Sequence, residues 1–219
     1  MKIYKCKDVR KVESFYGDLL FGFKTEITVH QYLKSLSKRL WKGIKNHDSA
    51  VQYEIKNHHP AYINGEGEGF FKNNLKKKDS RLTIAREFGF RKWKGLKKLG
   101  VQKFDVSFEM AIENLLNGNV QALESLLKEN PKLINKRSKF GHKATLLHYT
   151  ASNGVEIWRQ RVPENLPQVT QCLLDYGADK NAKMEVYRSE FDTLALLESS
   201  VHPFDAGVGE EMLKVLTAE

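Results

Sequence analysis

Thr145-Leu-Leu-His-Tyr-Thr-Ala-Ser-Asn-Gly154, followed after an interval by Val169-Thr-Gln-Cys-Leu-Leu-Asp-Tyr-Gly-Ala-Asp-Lys-Asn-Ala182, is the passage whose reading decides the fold. Thr145 stands where an N-cap accepts a backbone N–H. Leu147 and Ala151 fall four apart on one helical face, and Ala151 is small enough to let a second helix approach closely. Val169, Cys172 and Leu173 recur at i, i+3, i+4 with Leu174 beside them, which makes one apolar stripe. Gly177 then supplies the left-handed residue that ends a helix with least steric strain, and Ala178-Asp179 leads the chain outward. A helix pair with one apolar face cannot bury that face alone, so neighbours on both sides are required.

They are present in the sequence. Upstream, Phe108 to Pro131 reads as helix, a Gly118-Asn119 turn, a second helix and a proline stop, followed by Leu133-Ile134-Asn135. Downstream, Thr193-Leu194-Ala195-Leu196-Leu197 echoes the first-helix pattern, and Val208 to Leu216 supplies a second helix with Met212, Val215 and Leu216 apolar. Thr145, Leu147, His148 and Ala151 match the ankyrin signature Thr-Pro-Leu-His-x-Ala, with Leu146 in place of the proline. Three further runs extend the match: Ala85-Arg-Glu-Phe-Gly-Phe90 with Trp93 and Leu96, Phe108 with Ala111-Ile112, and Ser200-x-His202-Pro203 with Ala206-Gly-Val208. With them, roughly residues 34 to 216 resemble a group of bacterial ankyrin-repeat proteins of unassigned function. The resemblance implies an all-α fold: an ankyrin-type helical solenoid at residues 105–219, with about three repeats, the last truncated. It implies a binding scaffold and transfers no catalytic or ligand residues.

Charge divides the chain. Residues 1–100 carry 23 Lys and Arg against 10 Asp and Glu, a balance of +13, whereas residues 101–219 carry 13 against 17, a balance of −4. This shift and the stop signals around it place a boundary between Gly100 and Asp105. Ahead of it lie an N-terminal extension, residues 1–26, and a basic helical region, residues 27–100. The extension's Tyr4, Phe15, Tyr16, Phe21 and Phe23 indicate that it packs on something. The basic region is expected to cap the solenoid and to contain a diverged repeat. Leu33, Leu36, Leu40 and Ile44 predict a helix from Thr28, and Asn46-His47-Asp48 a turn and cap before a second helix from Ser49. Shifted by 71 positions, Asn46-x-Asp48 meets Asn117-x-Asn119, Pro60 meets Pro131, and Ile63-Asn64 meets Ile134-Asn135.

Two glutamates in Gly65-Glu-Gly-Glu-Gly69 would repel phosphate, which argues against a nucleotide-binding loop. Asp79-Ser80 opens a predicted helix over 81–88, ended by Gly89, and Trp93, Leu96 and Leu99 predict another. Ala85 and Gly89 have helix-turn-helix spacing, and Lys76, Lys77, Lys78, Arg91, Lys92 and Lys94 are the candidate nucleic-acid contacts. Against this, the second helix is barely two turns long. The alternative is a basic cap that packs Phe88, Phe90 and Trp93 and leaves its lysines in solvent.

At 41% apolar and 29% charged residues, the composition is that of a soluble globular protein. No apolar run approaches the ~18 residues of a membrane helix, and charges interrupt Met1 to Phe23, so no membrane association and a cytoplasmic location are expected. Cys6 and Cys172 lie in different regions, and Cys172 reads as a small core hydrophobe. His148 reads as the repeat's own structural histidine, and His202-Pro203 as a loop former. His58-His59 with His47 lack zinc-ligand spacing, so no metal and no cofactor are expected. No nucleophile has a base and orienting acid at interpretable spacing, which leaves an enzyme without support.

The insertions are the more informative places. From Gly154 to Leu173 an ankyrin unit needs about eight steps and this chain takes nineteen, so Val155 to Pro167 holds an extra loop. Trp158 with Arg159 and Arg161 has hot-spot chemistry. The alternative is that Trp158 folds back on a helix while Arg159 or Arg161 pairs with Glu156 or Glu164. A second long connection, Lys183 to Phe191, carries Met184, Tyr187 and Arg188. The sequence thus points to a non-enzymatic scaffold that binds a protein partner through its hairpins and residues 155–167. Trp158, Arg159, Arg161, Tyr187 and Arg188 are its contacts. The alternative is a nucleic-acid-associated protein that holds phosphates with its basic N-terminal helices.

Overall fold

A computed structural model of the chain describes residues 1–24, 26–63 and 75–218. It comprises two compact units, Lys7–Phe104 and the combination of Met1–Cys6 with Asp105–Glu219. Both are mostly helical, and among the described residues no helix is long and apolar enough to cross a membrane. The first 26 residues, expected as one extension, do not stay together: six belong to one unit and the rest to the other. Asn64 and Gly65 to Gly69 lie outside the described residues.

In the Lys7–Phe104 unit, helix α1 (Lys7–Tyr16) buries Val9, Val12, Phe15 and Tyr16. Its other face carries Lys7, Arg10, Lys11 and Ser14 at i, i+3, i+4 and i+7. Helix α2 (Val29–Lys45) opens on a reciprocal cap. Gln31 N–H donates to Thr28 Oγ1 at 3.1 Å, and Thr28 N–H donates to Gln31 Oε1 at 2.8 Å. The predicted stripe of Leu33, Leu36, Leu40 and Ile44 is buried. The predicted turn follows, and Asp48 caps α3 (Ser49–His58) by accepting the Ala50 N–H at 2.9 Å. A Cβ at Gly43 would lie 2.4 Å from Val51 Cγ2 and 2.6 Å from the Phe15 ring, so these three helices can meet only at a position without a side chain.

Helix α4 (Lys77–Glu87) starts ahead of its predicted first residue, Arg81. Asp79 is its third residue and reaches back to accept the Lys76 N–H at 2.7 Å, which is the work of an N3 carboxylate in a capping box. The predicted second helix is a 3₁₀ helix, Trp93–Leu99. Trp93, Leu96 and Leu99, spaced three apart, align on one side of a helix with three residues per turn. Phe88 packs edge-on against Tyr32, and Trp93 lies against His30.

The other unit begins with strand β1 (Ile3–Tyr4) and resumes with α5 (Val106–Leu116) and α6 (Val120–Glu129). Gly118 joins these helices at φ +69°, where a Cβ would collide with Asn165 and Met1. There follow α7 (Leu146–Tyr149), a 3₁₀ turn Ile157–Arg159, β2 (Val162–Pro163) and α8 (Leu166–Asp175). The chain continues through β3 (Met184–Val186), β4 (Ser189–Phe191), α9 (Thr193–Glu198), α10 (His202–Asp205) and α11 (Gly209–Thr217). Three pairs stand in series: α5 packs on α6, α7 on α8 and α9 on α11. Neighbouring pairs meet in two rows, α5 with α7 and α7 with α9 in one, α6 with α8 and α8 with α11 in the other. One contiguous apolar core runs through them from Phe108 to Leu216. It includes the predicted Leu147, Ala151, Val169, Cys172 and Leu173.

Two features depart from an all-α expectation. β1 pairs antiparallel with β2, and β3 with β4 in a hairpin. In addition, α7 is a single turn. Thr150 Oγ1 donates back to the Leu147 carbonyl, Ser152 is left-handed at φ +50°, and Gly154 at φ +71° leaves no room for a Cβ between Val186 and Leu196.

Candidate functional site

The insertion does not project. Trp158, Arg159 and Arg161 are only 4%, 3% and 5% exposed, and this removes all three from the set of partner-binding residues expected from sequence. The cause is acidic: α5 places Glu109 and Glu113 against the insertion. Arg159 Nη2 lies 2.5 Å from Glu109 Oε2, Arg159 Nη1 lies 3.5 Å from Glu156 Oε1, and Arg161 Nη2 lies 2.7 Å from Glu113 Oε2. His142 Nε2 reaches Glu156 Oε1 at 3.3 Å, and the Arg159 guanidinium covers the Tyr149 ring at 5.5 Å. Burial disfavours the Arg159 charge, but Glu109 and Glu156 outweigh it and hold the guanidinium firmly protonated. Burial likewise pushes the Glu156 carboxyl up, and Arg159 with His142 more than reverses it, so Glu156 titrates below its ordinary value. Of the sequence alternatives, the inward Trp158 and the Arg159–Glu156 pair are found. Glu109 and Glu113 as anchors had no local signal, because they lie about fifty residues upstream.

The rest of the insertion is fastened by the N-terminus. Ile3 and Tyr4 pair with Pro163 and Val162, Glu164 N–H donates to the Lys2 carbonyl at 3.0 Å, and Tyr4 Oη donates to Asp205 at 3.0 Å. Residues 155–167 are thus a brace between helix pairs.

The second connection forms the β3–β4 hairpin. Met184 is buried, Glu185 N–H donates to the His142 carbonyl at 2.9 Å, and Lys183 pairs with Asp192. At its tip Tyr187 is 43% exposed and Arg188 is exposed. Their φ values are +49° and +86°. Two successive positive φ angles suit the right-handed twist of a two-residue hairpin but are normally left to Asn and Gly. His148 Nδ1 accepts the Thr145 N–H at 3.1 Å, which closes the first turn of α7. The backbone of Ala182 and Phe191 lies against the ring, and burial holds the imidazole down to about 4. The histidine thus closes a helix start beside the base of this hairpin.

In the other unit Lys76, Lys77, Lys78, Arg91, Lys92 and Lys94 are all exposed. The helix-turn-helix arrangement is not formed, since the 3₁₀ segment points Leu96 and Leu99 inward and offers no recognition helix. His58 and His59 are buried, and His59 lies 3.4 Å from Asp79, so they are core residues and not surface ligands. Among the described residues no group of three or more His, Cys, Asp or Glu side chains could hold a metal ion. Sequence reasoning passed over a cleft of about 560 Å³ lined by Lys7, Arg10, Lys11, Ser14, Arg39 and Asp48. The signal for it was the cationic face of α1, opposite Val9 and Val12.

Comparison with known proteins returns no match: no family model, no curated protein and no solved structure is similar to this chain.

Proposed function

We propose that the unit containing residues 105–219 is an ankyrin-type scaffold, of the kind found in bacterial ankyrin-repeat proteins, that binds a protein partner in the cytoplasm without chemistry of its own. The observation that carries this is the two-row series of three helix pairs, with the β3–β4 hairpin standing between the second and third pairs. The Thr145–His148 cap at the start of the second pair agrees with it. Repeat stacks present their hairpin side as a continuous recognition surface. Tyr187 and Arg188 are the contact residues on this surface, an aromatic and a guanidinium of the types that dominate interface energetics. Trp158, Arg159 and Arg161 serve the scaffold from within.

Capture from a lysate with the parent chain and a Tyr187→Ala/Arg188→Ala variant, each with and without nuclease, tests the reading. A protein retained by the parent despite nuclease and lost by the variant supports it. Equal capture by both baits removes the hairpin as the contact. The exposed Lys76, Lys77, Lys78, Arg91, Lys92 and Lys94 favour a second reading, in which the basic unit contacts nucleic-acid phosphates. Recovery of nucleic acid that falls steeply with salt would support that reading instead.

A further inference from the structure

We propose that the cleft between α1, α2 and the start of α3 binds a compact, multiply charged phosphate anion, of the kind presented by a polyphosphate or a nucleotide's phosphate chain. The cleft lies wholly within the Lys7–Phe104 unit, measures about 560 Å³ and is broadly open to solvent. Lys7, Arg10 and Lys11 enter from one face of α1 and Arg39 from α2. Among the described residues no ion pair joins Lys7, Arg10 or Arg39 to a carboxylate, and the four cations of the lining outnumber its single carboxylate, Asp48. Lys11 alone is engaged, with Asp8 at 3.1 Å.

Arg39 is pre-positioned. Its Nε donates to the Phe15 carbonyl at 2.9 Å and its guanidinium lies 4.8 Å from the Phe15 ring centroid. These contacts hold the guanidinium plane still, and a fixed fork is the geometry that recognises phosphate oxygens bidentately. Ser14 and Ser49 add hydroxyls to the lining. Asp48, the lining carboxylate, is occupied in capping the Ala50 N–H, so the site stands on its side chains and not on the end of α3. A folded protein keeps like charges this close at an electrostatic cost, which an anion relieves. A compact ligand fits better than a nucleic-acid strand. The aromatic ring that lines the cleft, Phe15, is already covered by Arg39 and is not free to stack a base.

The test is calorimetric titration of the full chain with inorganic tripolyphosphate and, separately, with a single-stranded oligonucleotide. The variants are Lys7→Gln/Arg10→Gln, Arg39→Lys, and Lys132→Ala as a control on the other unit. Circular dichroism of each variant establishes that it is folded. The surface residues Lys7 and Arg10 can be replaced without touching the core. The expected result is saturable 1:1 binding of tripolyphosphate, weakened at least about tenfold in Lys7→Gln/Arg10→Gln and in Arg39→Lys and unchanged in Lys132→Ala. Absence of saturable binding, equal affinity in the parent and the cleft variants, or a preference for the oligonucleotide would each overturn the proposal. None of these outcomes bears on the hairpin of the other unit.

Discussion

Glu54 is fully buried in the Lys7–Phe104 unit, with Tyr16 Oη donating to its carboxyl oxygens at 2.7 Å and Glu87 hydrogen-bonded beside it. Burial pushes this carboxyl up to about 7, from an ordinary 4.5, although the hydrogen bonds act the other way. The native state therefore keeps a proton that the unfolded chain releases. Stability from the protonated form is complete below about 4.5 and is lost as pH rises through about 7. His58 works in the opposite sense. Burial, with Arg86 adding to it, pushes its imidazole down to about 3, so its contribution is present above 6.5 and lost as pH falls below that. Thermal melts of the parent and Glu54→Gln at pH 5 and pH 8 separate the two, and the variant should gain on the parent at the higher pH. A gap that is constant or moves the other way refutes the assignment. In the other unit, Glu109→Ala removes the nearer of the two carboxylates that hold the buried Arg159 charge and should cost about 3 kcal/mol in urea unfolding. Glu109→Met/Arg159→Met/Glu156→Gln, which takes out the whole charge cluster around Arg159, should cost less than Glu109→Ala, because no unpaired charge remains. Neither cluster was legible in the sequence, since burial of a carboxylate is decided by what packs over it from distant elements.

At the scale of elements, the helices with a strong apolar stripe were readable: α2 and α8 lie where Leu33 to Ile44 and Val169 to Leu173 placed them. So were the turns at Asn117-Gly118-Asn119 and Asn46-His47-Asp48, where short polar residues and glycine carry the information locally. The insertion was misjudged because length and composition describe a loop, whereas its strand pairing and ion pairs come from residues 1–6 and from α5. The β3–β4 hairpin is an element whose turn residues contradict its geometry. Tyr187-Arg188→Asn-Gly should raise the stability of this unit by about 1 kcal/mol, measured by thermal melting, because left-handed backbone is strained for side chains with a Cβ. If the hairpin tip is the contact surface, the same variant should lose the captured partner while melting higher. A variant that melts lower would show that contacts of Tyr187 outweigh the backbone strain.

At the scale of the whole molecule, the chain passes from strand β1 of one unit through the entire Lys7–Phe104 unit before returning at Asp105. Deleting residues 1–6 should therefore destabilise the unit of residues 105–219 by about 1–3 kcal/mol, through loss of the β1–β2 pairing and the Tyr4–Asp205 hydrogen bond. Differential scanning calorimetry checks this, and an unchanged melting profile would show the strand to be dispensable. From the sequence alone came the helical character, the order of the helix pairs and the charge division near residue 100. All three are written in neighbours a few residues apart, as periodicity, caps and composition. Only the tertiary structure decided that the first six residues serve the distant unit, that Trp158, Arg159 and Arg161 face inward, and that Lys7, Arg10 and Arg39 share one cleft. These depend on which remote backbone edge or charge meets each residue on folding, and local pattern contains no record of that meeting.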